Sequence, residues 1–359
     1  MRLFLYELKK LLLTEKGLWI LLGAALLSAA LMFFFPEQRD ARIVHAHKKY
    51  DEYMSRYYGP DTEEKQTEIR TRAEEVLSIL GSFVENRTAY QNGKMTEDEW
   101  SAYIRAYELA LQEEAASDIF FEKAERFKRW SEAGVVPDYM DEYGWETSFF
   151  LTGFPAVFSL IALVLIASRS MPMEFETGLF PVLYASAKGR RELKAAKLLA
   201  VTVSALSLGL VTGGLDLLAF SARGFLNDPG TVSASVKWFA EAAEGQRSFI
   251  SSLLMAELLR LLGLLLTAIL SYSLSVFLKN SRTVILLMLA LLFIPLLLFL
   301  TGNDGLLMGL TGLLSGSRLL RRGQSVCLMN AGITTAVCML PALIAVLKRA
   351  PEKQLVNLK

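Results

Sequence analysis

Six stretches of this chain are apolar over 18 residues or more, and they limit what it can fold into. An α-helix needs about 20 apolar residues to cross roughly 30 Å of hydrocarbon. Residues 18–35, 149–167, 283–301 and 326–347 carry no charge, 198–220 carries Asp216 alone, and 249–278 carries Glu257 and Arg260. Pro155, Pro295 and Pro341 fall inside these runs, where neighbouring helices can satisfy the carbonyls that proline leaves free. The first run lacks a small-residue cleavage site before Pro36 and exceeds the apolar core of a signal peptide, so it reads as a retained anchor. The expected fold class is an all-α membrane protein. Six transmembrane helices are joined by an N-terminal interfacial helix and by a helical extracytoplasmic domain between the first two spans.

Charge is segregated along the chain. The totals are 38 Lys and Arg against 37 Asp and Glu, yet residues 37–147 hold 15 of the former and 25 of the latter. The remainder is basic and very apolar, and 53% of the whole chain is hydrophobic with a mean hydropathy of +0.34. This pattern excludes a soluble globular enzyme, a fibrous protein, a disordered chain and a basic nucleic-acid binder. Orientation follows from the short loops. With the N-terminus inside, segments 1–17, 168–197, 279–282 and 348–359 carry 16 Lys and Arg in 63 residues, and outer loops 221–248 and 302–325 carry 6 in 52. Both termini are then cytoplasmic and residues 36–148 lie outside a plasma membrane. Arg318, Arg321 and Arg322 fall on the outer side, where lipid phosphates could meet them. The apolar piece 305–317 is too short to span and reads as a re-entrant or interfacial segment.

Residues 1–17 form an amphipathic pattern. Phe4, Leu5, Leu8, Leu11 and Leu12 share one stripe, and Arg2, Glu7, Lys9, Lys10 and Thr14 share the other, as in a helix lying among lipid headgroups. In the acidic insertion, helical spacing recurs over 38–58 and 61–91. It recurs again from Thr96, where Thr96-Glu97-Asp98-Glu99 is a capping-box sequence. No run alternates with period two, so a helical hairpin or small bundle is expected and no sheet. Its many tyrosines suit either the core of that bundle or a partner surface, with the core favoured.

Several chemistries are missing. There is no phosphate-binding loop and no His-Glu-x-x-His zinc motif. His45 and His47 point to different faces of a helix, and Cys327 and Cys338 lie in one apolar run without metal-ligand spacing, so no metal or catalytic site is expected. Glu257 and Arg260, spaced i, i+3, can pair on one helix face, either as a contact lining a pathway or as a self-satisfied structural pair. Asp216 lies on a different run, toward the outer end, and reads as a wetted acid.

The segment 168–197 is the most informative. It holds Glu174-Phe175-Glu176-Thr177-Gly178, an apolar stretch Leu179–Tyr184, then Lys188-Gly189-Arg190-Arg191 and finally Lys197. The acids can cap a short helix and Gly178 permits a sharp bend, which makes a docking element at the inner face. This order resembles the first inner loop of type-2 ABC exporter permeases. Glu7-Leu8-Lys9-Lys10-Leu11 also resembles the interfacial helix that opens them. The resemblance covers the membrane part and leaves 36–148 unexplained. It implies a non-catalytic transport subunit with no cofactor of its own, in which Glu174, Phe175, Glu176, Thr177, Gly178, Arg190 and Lys197 couple to the motor. It further implies separate ABC ATPase subunits holding ATP and Mg, a second permease subunit (the same or a homologous chain), contact with membrane lipids, and export of a lipid, peptide or antibiotic-like substrate from a bacterial cell. The alternative is a membrane receptor or assembly factor that senses a ligand through its outer helices.

Overall fold

The computed structural model describes residues 2–14, 16–37, 39–152, 155–176, 189–239, 247–278, 280–300, 309–322 and 324–347. The described chain is nearly all α-helix and divides into two compact units. One is apolar and comprises residues 1–35, 148–225 and 251–359. The other is polar and comprises residues 36–147 with 226–250. That 226–250 joins the acidic insertion could not be read from periodicity, since it holds only two short 3-10 turns, Ser233–Ser235 and Lys237–Phe239.

The polar unit is built on α3 (Ala41–Tyr57), α4 (Glu63–Gly81), α5 (Phe83–Gln91) and α6 (Glu97–Glu132). Asp40 accepts from the Arg42 amide at the start of α3, and Thr96 with Glu99 forms a full capping box on α6. Tyr50, Tyr53 and Tyr57 of α3 are spaced i, i+3, i+7 and bury one stripe against Phe120 and Phe127 of α6. The rings meet tilted or edge-on, with Tyr53 and Phe120 centroids 5.2 Å apart, as aromatic quadrupoles prefer. The helix expected over 61–91 is interrupted at Ser82. There the Ser82 and Tyr103 hydroxyls both donate to the Ile79 carbonyl, at 3.0 and 2.7 Å, and compete with the backbone ladder. A minimal antiparallel pair, β1 (Gly59–Pro60) with β2 (Asp138–Tyr139), corrects the expectation of no strand pairing. Gly59, at φ +96°, makes the turn into it.

The apolar unit opens with α1 (Arg2–Lys9), a π-helical turn (Lys10–Thr14) and α2 (Gly17–Phe34). Later come α7 (Tyr143–Leu151, which begins in the polar unit), α8 (Pro155–Arg169), α9 (Pro172–Glu176) and α10 (Gly189–Ala222). They are followed by α11 (Phe249–Leu278), α12 (Ser281–Leu300), α13 (Gly309–Leu314), α14 (Ser317–Leu320) and α15 (Gln324–Leu347). Five stretches are long and apolar enough to cross a membrane: Gly17–Phe34, Tyr143–Glu174, Glu192–Ala222, Phe249–Leu278 and Ser325–Leu347. The sixth expected span falls on α12, whose apolar stretch Ser281–Pro295 is shorter. Five such helices suit a multi-pass membrane protein. Large apolar side chains remain exposed along them, among them Leu26, Leu210, Leu258 and Val337, as a lipid-facing surface requires. Where helices meet, small residues let the backbones approach: Ala24, Ala25 and Ser28 are buried on α2, which packs on α8 and α10. Of the expected re-entrant piece, residues 309–317 are described and form α13 and the start of α14, with Leu310–Leu314 buried; 305–308 lie outside the described residues.

Candidate functional site

Two buried ionic clusters lie in the apolar unit, and each includes residues that the sequence singles out. The first joins α1, α9 and α10. Lys197 of α10 places its ammonium 2.7 Å from Glu174 Oε1 of α9 and 3.2 Å from Glu7 Oε2 of α1, and donates to the Ser170 carbonyl at 2.6 Å. Lys10 stands 3.6 Å from Glu174. Glu7, Glu174 and Lys197 are 5%, 1% and 3% exposed. Charges this buried persist only when paired. Two lysines facing two glutamates give a cluster of no net charge.

This arrangement corrects the reading of the N-terminal helix. On its inward face Glu7 and Leu11 are buried and Phe4 and Leu8 half-buried, with Leu5 exposed. Glu7 lies on the buried stripe because Lys197 supplies its counter-charge from α10. Glu174 is likewise buried, paired with Lys197 and near Lys10. Phe175 and Glu176 complete α9 and Arg190 lies in the first turn of α10, whereas Thr177 and Gly178 lie outside the described residues.

The second cluster joins α10, α11 and the end of α7. Arg260 forms the expected pair with Glu257, at 2.5 Å, and also donates to Asp216 of α10. Asp216 is fully buried rather than wet, because the guanidinium faces it from α11. The same Arg260 donates from Nη1 to the Thr152 carbonyl at 2.9 Å, and the Ser317 hydroxyl donates to the Phe149 carbonyl at 2.5 Å. The last carbonyls of a helix have no partner within it, and without water other side chains must supply the donors. Gly213 makes room: a Cβ there would lie 3.2 Å from Glu257 Oε2 and 3.5 Å from Arg260 Nη2. Sequence reasoning missed Asp216 as a member. The available signal was the excess of acid over base within the spans.

In the polar unit, Glu142 is buried between Lys123 (3.2 Å) and Arg126 (3.0 Å) and accepts from the Lys237 amide at 2.6 Å. Burial alone would raise its carboxyl, but Arg126 and Lys123 outweigh that and hold it below the ordinary range. Glu113 is lowered chiefly by its paired hydrogen bonds from Arg72, at 2.8 and 2.7 Å, and it also accepts from the Tyr53 hydroxyl. Depressed carboxyls contribute stability above their unfolded value, about 4.3, and lose it as pH falls through the folded values. The melting-temperature difference between the unaltered chain and Glu113→Gln should therefore hold steady from neutrality to about pH 5 and shrink below about pH 4.3.

Among the described residues, no group of histidine, cysteine and acidic side chains could hold a metal ion. No protein-family model, no curated protein and no solved structure matches the chain.

Proposed function

We propose that the chain is the membrane-spanning permease subunit of an ABC-type exporter, driven by separate ATPase subunits. The observation that carries this reading is the link Glu7–Lys197–Glu174. Glu174, just before the expected inner loop, is tied through the buried Lys197 of α10 to Glu7 of the N-terminal helix. A partner pressing on 175–191 would move α1 and α10 together, because a close-packed ionic joint transmits displacement as a rigid body. Glu174 and Lys197 are then positioning residues, and contact with the motor falls to Glu176, Thr177, Gly178 and Arg190. The chain supplies no nucleotide chemistry, and ATP and Mg belong to the partner. The pathway is built with a second permease subunit and takes a lipid, peptide or antibiotic-like substrate.

The test is co-purification of the full chain from its native membrane. An ATP-hydrolysing subunit should come with it, and Gly178→Trp should release that subunit while the chain still inserts. Retention of the subunit by Gly178→Trp would overturn the docking assignment. Absence of any ATPase would overturn the exporter reading.

A second reading is favoured by one observation in the polar unit. A cleft of about 470 Å³ between α3, α4 and α6 is lined by both signs of charge, with Lys49, Arg56 and Arg72 facing Glu52, Glu68 and Glu75, and by Tyr53 and Tyr57. Such a cleft suits a zwitterionic ligand, as a receptor would require. Binding of a panel of short zwitterionic peptides by the full chain, without ATP and lost in Arg72→Glu, would favour this reading. Lack of binding in the unaltered chain would remove it.

A further inference from the structure

The two ionic clusters of the apolar unit differ in their balance of charge. The first sets two lysines against two glutamates. The second sets one guanidinium against two carboxyl groups, Asp216 and Glu257; Arg260 and Asp216 are buried and the Glu257 side chain is 11% exposed. Among the described residues, Arg260 acts on both acids, Asp216 acts also on Glu257, and both acids act on Arg260. Just past α7, the Thr152 carbonyl accepts from Arg260. On α14, beside it, Arg318 lies over the Phe150 ring at 5.7 Å. Among the described residues one negative charge therefore has no counter-ion, and an isolated carboxylate costs far more than a neutral acid.

We propose that this cluster is a proton-binding site, with one proton held on Glu257 Oε1 at neutral pH. Geometry selects Glu257 over Asp216. Asp216 and Glu257 both pair with Arg260, and each keeps one oxygen without a hydrogen-bond partner, Asp216 Oδ1 and Glu257 Oε1. The Glu257 side chain is 11% exposed where that of Asp216 is 0%, so Glu257 is the acid that a proton from outside reaches. Loading moves one proton from water to that oxygen and changes no other bond. Asp216 and Arg260 then form a neutral pair, and Glu257 is a neutral acid. Gly213, without a Cβ, leaves the space in which the carboxyl turns. The site stands independently of any ATPase partner, so it survives failure of the exporter reading.

The test is infrared spectroscopy of the full chain in lipid nanodiscs, reading the carbonyl stretch of protonated carboxyl groups and its shift in D2O. At neutral pH the unaltered chain should show such a band. Glu257→Gln should remove one carboxyl's worth of it. Asp216→Asn should remove the same amount, because Arg260 would then hold Glu257 as a carboxylate. Glu64→Gln, at the exposed start of α4, should leave the band whole. The melting temperature gives a second reading: a folded chain that holds one proton more than its unfolded form loses stability as pH rises, so the melting temperature should fall from about pH 5 to 8, and less steeply in Glu257→Gln. A band unchanged in folded Glu257→Gln and folded Asp216→Asn would overturn the proposal. So would stabilisation by sodium but not by choline, together with no band, which would assign the missing charge to a metal cation.

Discussion

Lys197→Met should destabilise the apolar unit by about 3–5 kcal/mol, the usual cost of removing one partner from a buried ionic group. The substitution keeps the side chain's length and apolar stem and deletes only the ammonium. Glu7 and Glu174 would then be left at 5% and 1% exposure without their shared counter-charge. Lys10 cannot replace it, standing 3.6 Å from Glu174 with its own side chain 21% exposed. The Ser170 carbonyl would also lose its donor. The effect should appear as a lower melting temperature in detergent and as protease cleavage near residues 10–16, where α1 is released. Adding Glu7→Gln and Glu174→Gln should recover most of the loss, because an uncharged set needs no ammonium. If the triple variant is no more stable than Lys197→Met alone, the joint is held by packing and the ionic account fails.

Sequence made the apolar runs and the capping box at Thr96 legible, because both depend on neighbours within one helix. The placement of Glu7 was not legible. By its own helix it belongs to the polar face, and only Lys197, 190 positions later, turns that face inward. Asp216 was misread for the same reason: its partner lies 44 residues away on another helix. The Glu257–Arg260 pair was legible because i, i+3 spacing is local. Strand pairing of Gly59 with Tyr139 escaped notice because two residues carry no period. The break at Ser82 depends on the hydroxyl of Tyr103, donated from α6. At Glu7, Asp216 and Ser82 a long-range polar contact overrode a local pattern, and the first two of these contacts help define the buried clusters.

Arg260→Met should prove still more damaging than Lys197→Met, and its pH dependence separates two accounts of the second cluster. Arg260 is 2% exposed and serves Asp216, Glu257 and the Thr152 carbonyl together. Its loss leaves a helix-end carbonyl without a donor, which costs about 1–3 kcal/mol, in addition to the cost of stranded acid. If Glu257 already holds a proton, only Asp216 is newly stranded, and it can be neutralised by taking up one proton more. The variant would then lose stability with rising pH more steeply than the unaltered chain, by about 1.4 kcal/mol per pH unit for each extra proton bound in the folded state. Asp216→Asn in the Arg260→Met background should remove that extra slope and restore part of the stability. If both acids are instead charged in the unaltered chain, the variant must bind two additional protons, and its slope should exceed the unaltered chain's by twice as much. Thermal unfolding across about pH 6 to 9, for the unaltered chain and the two variants, decides between one proton and none.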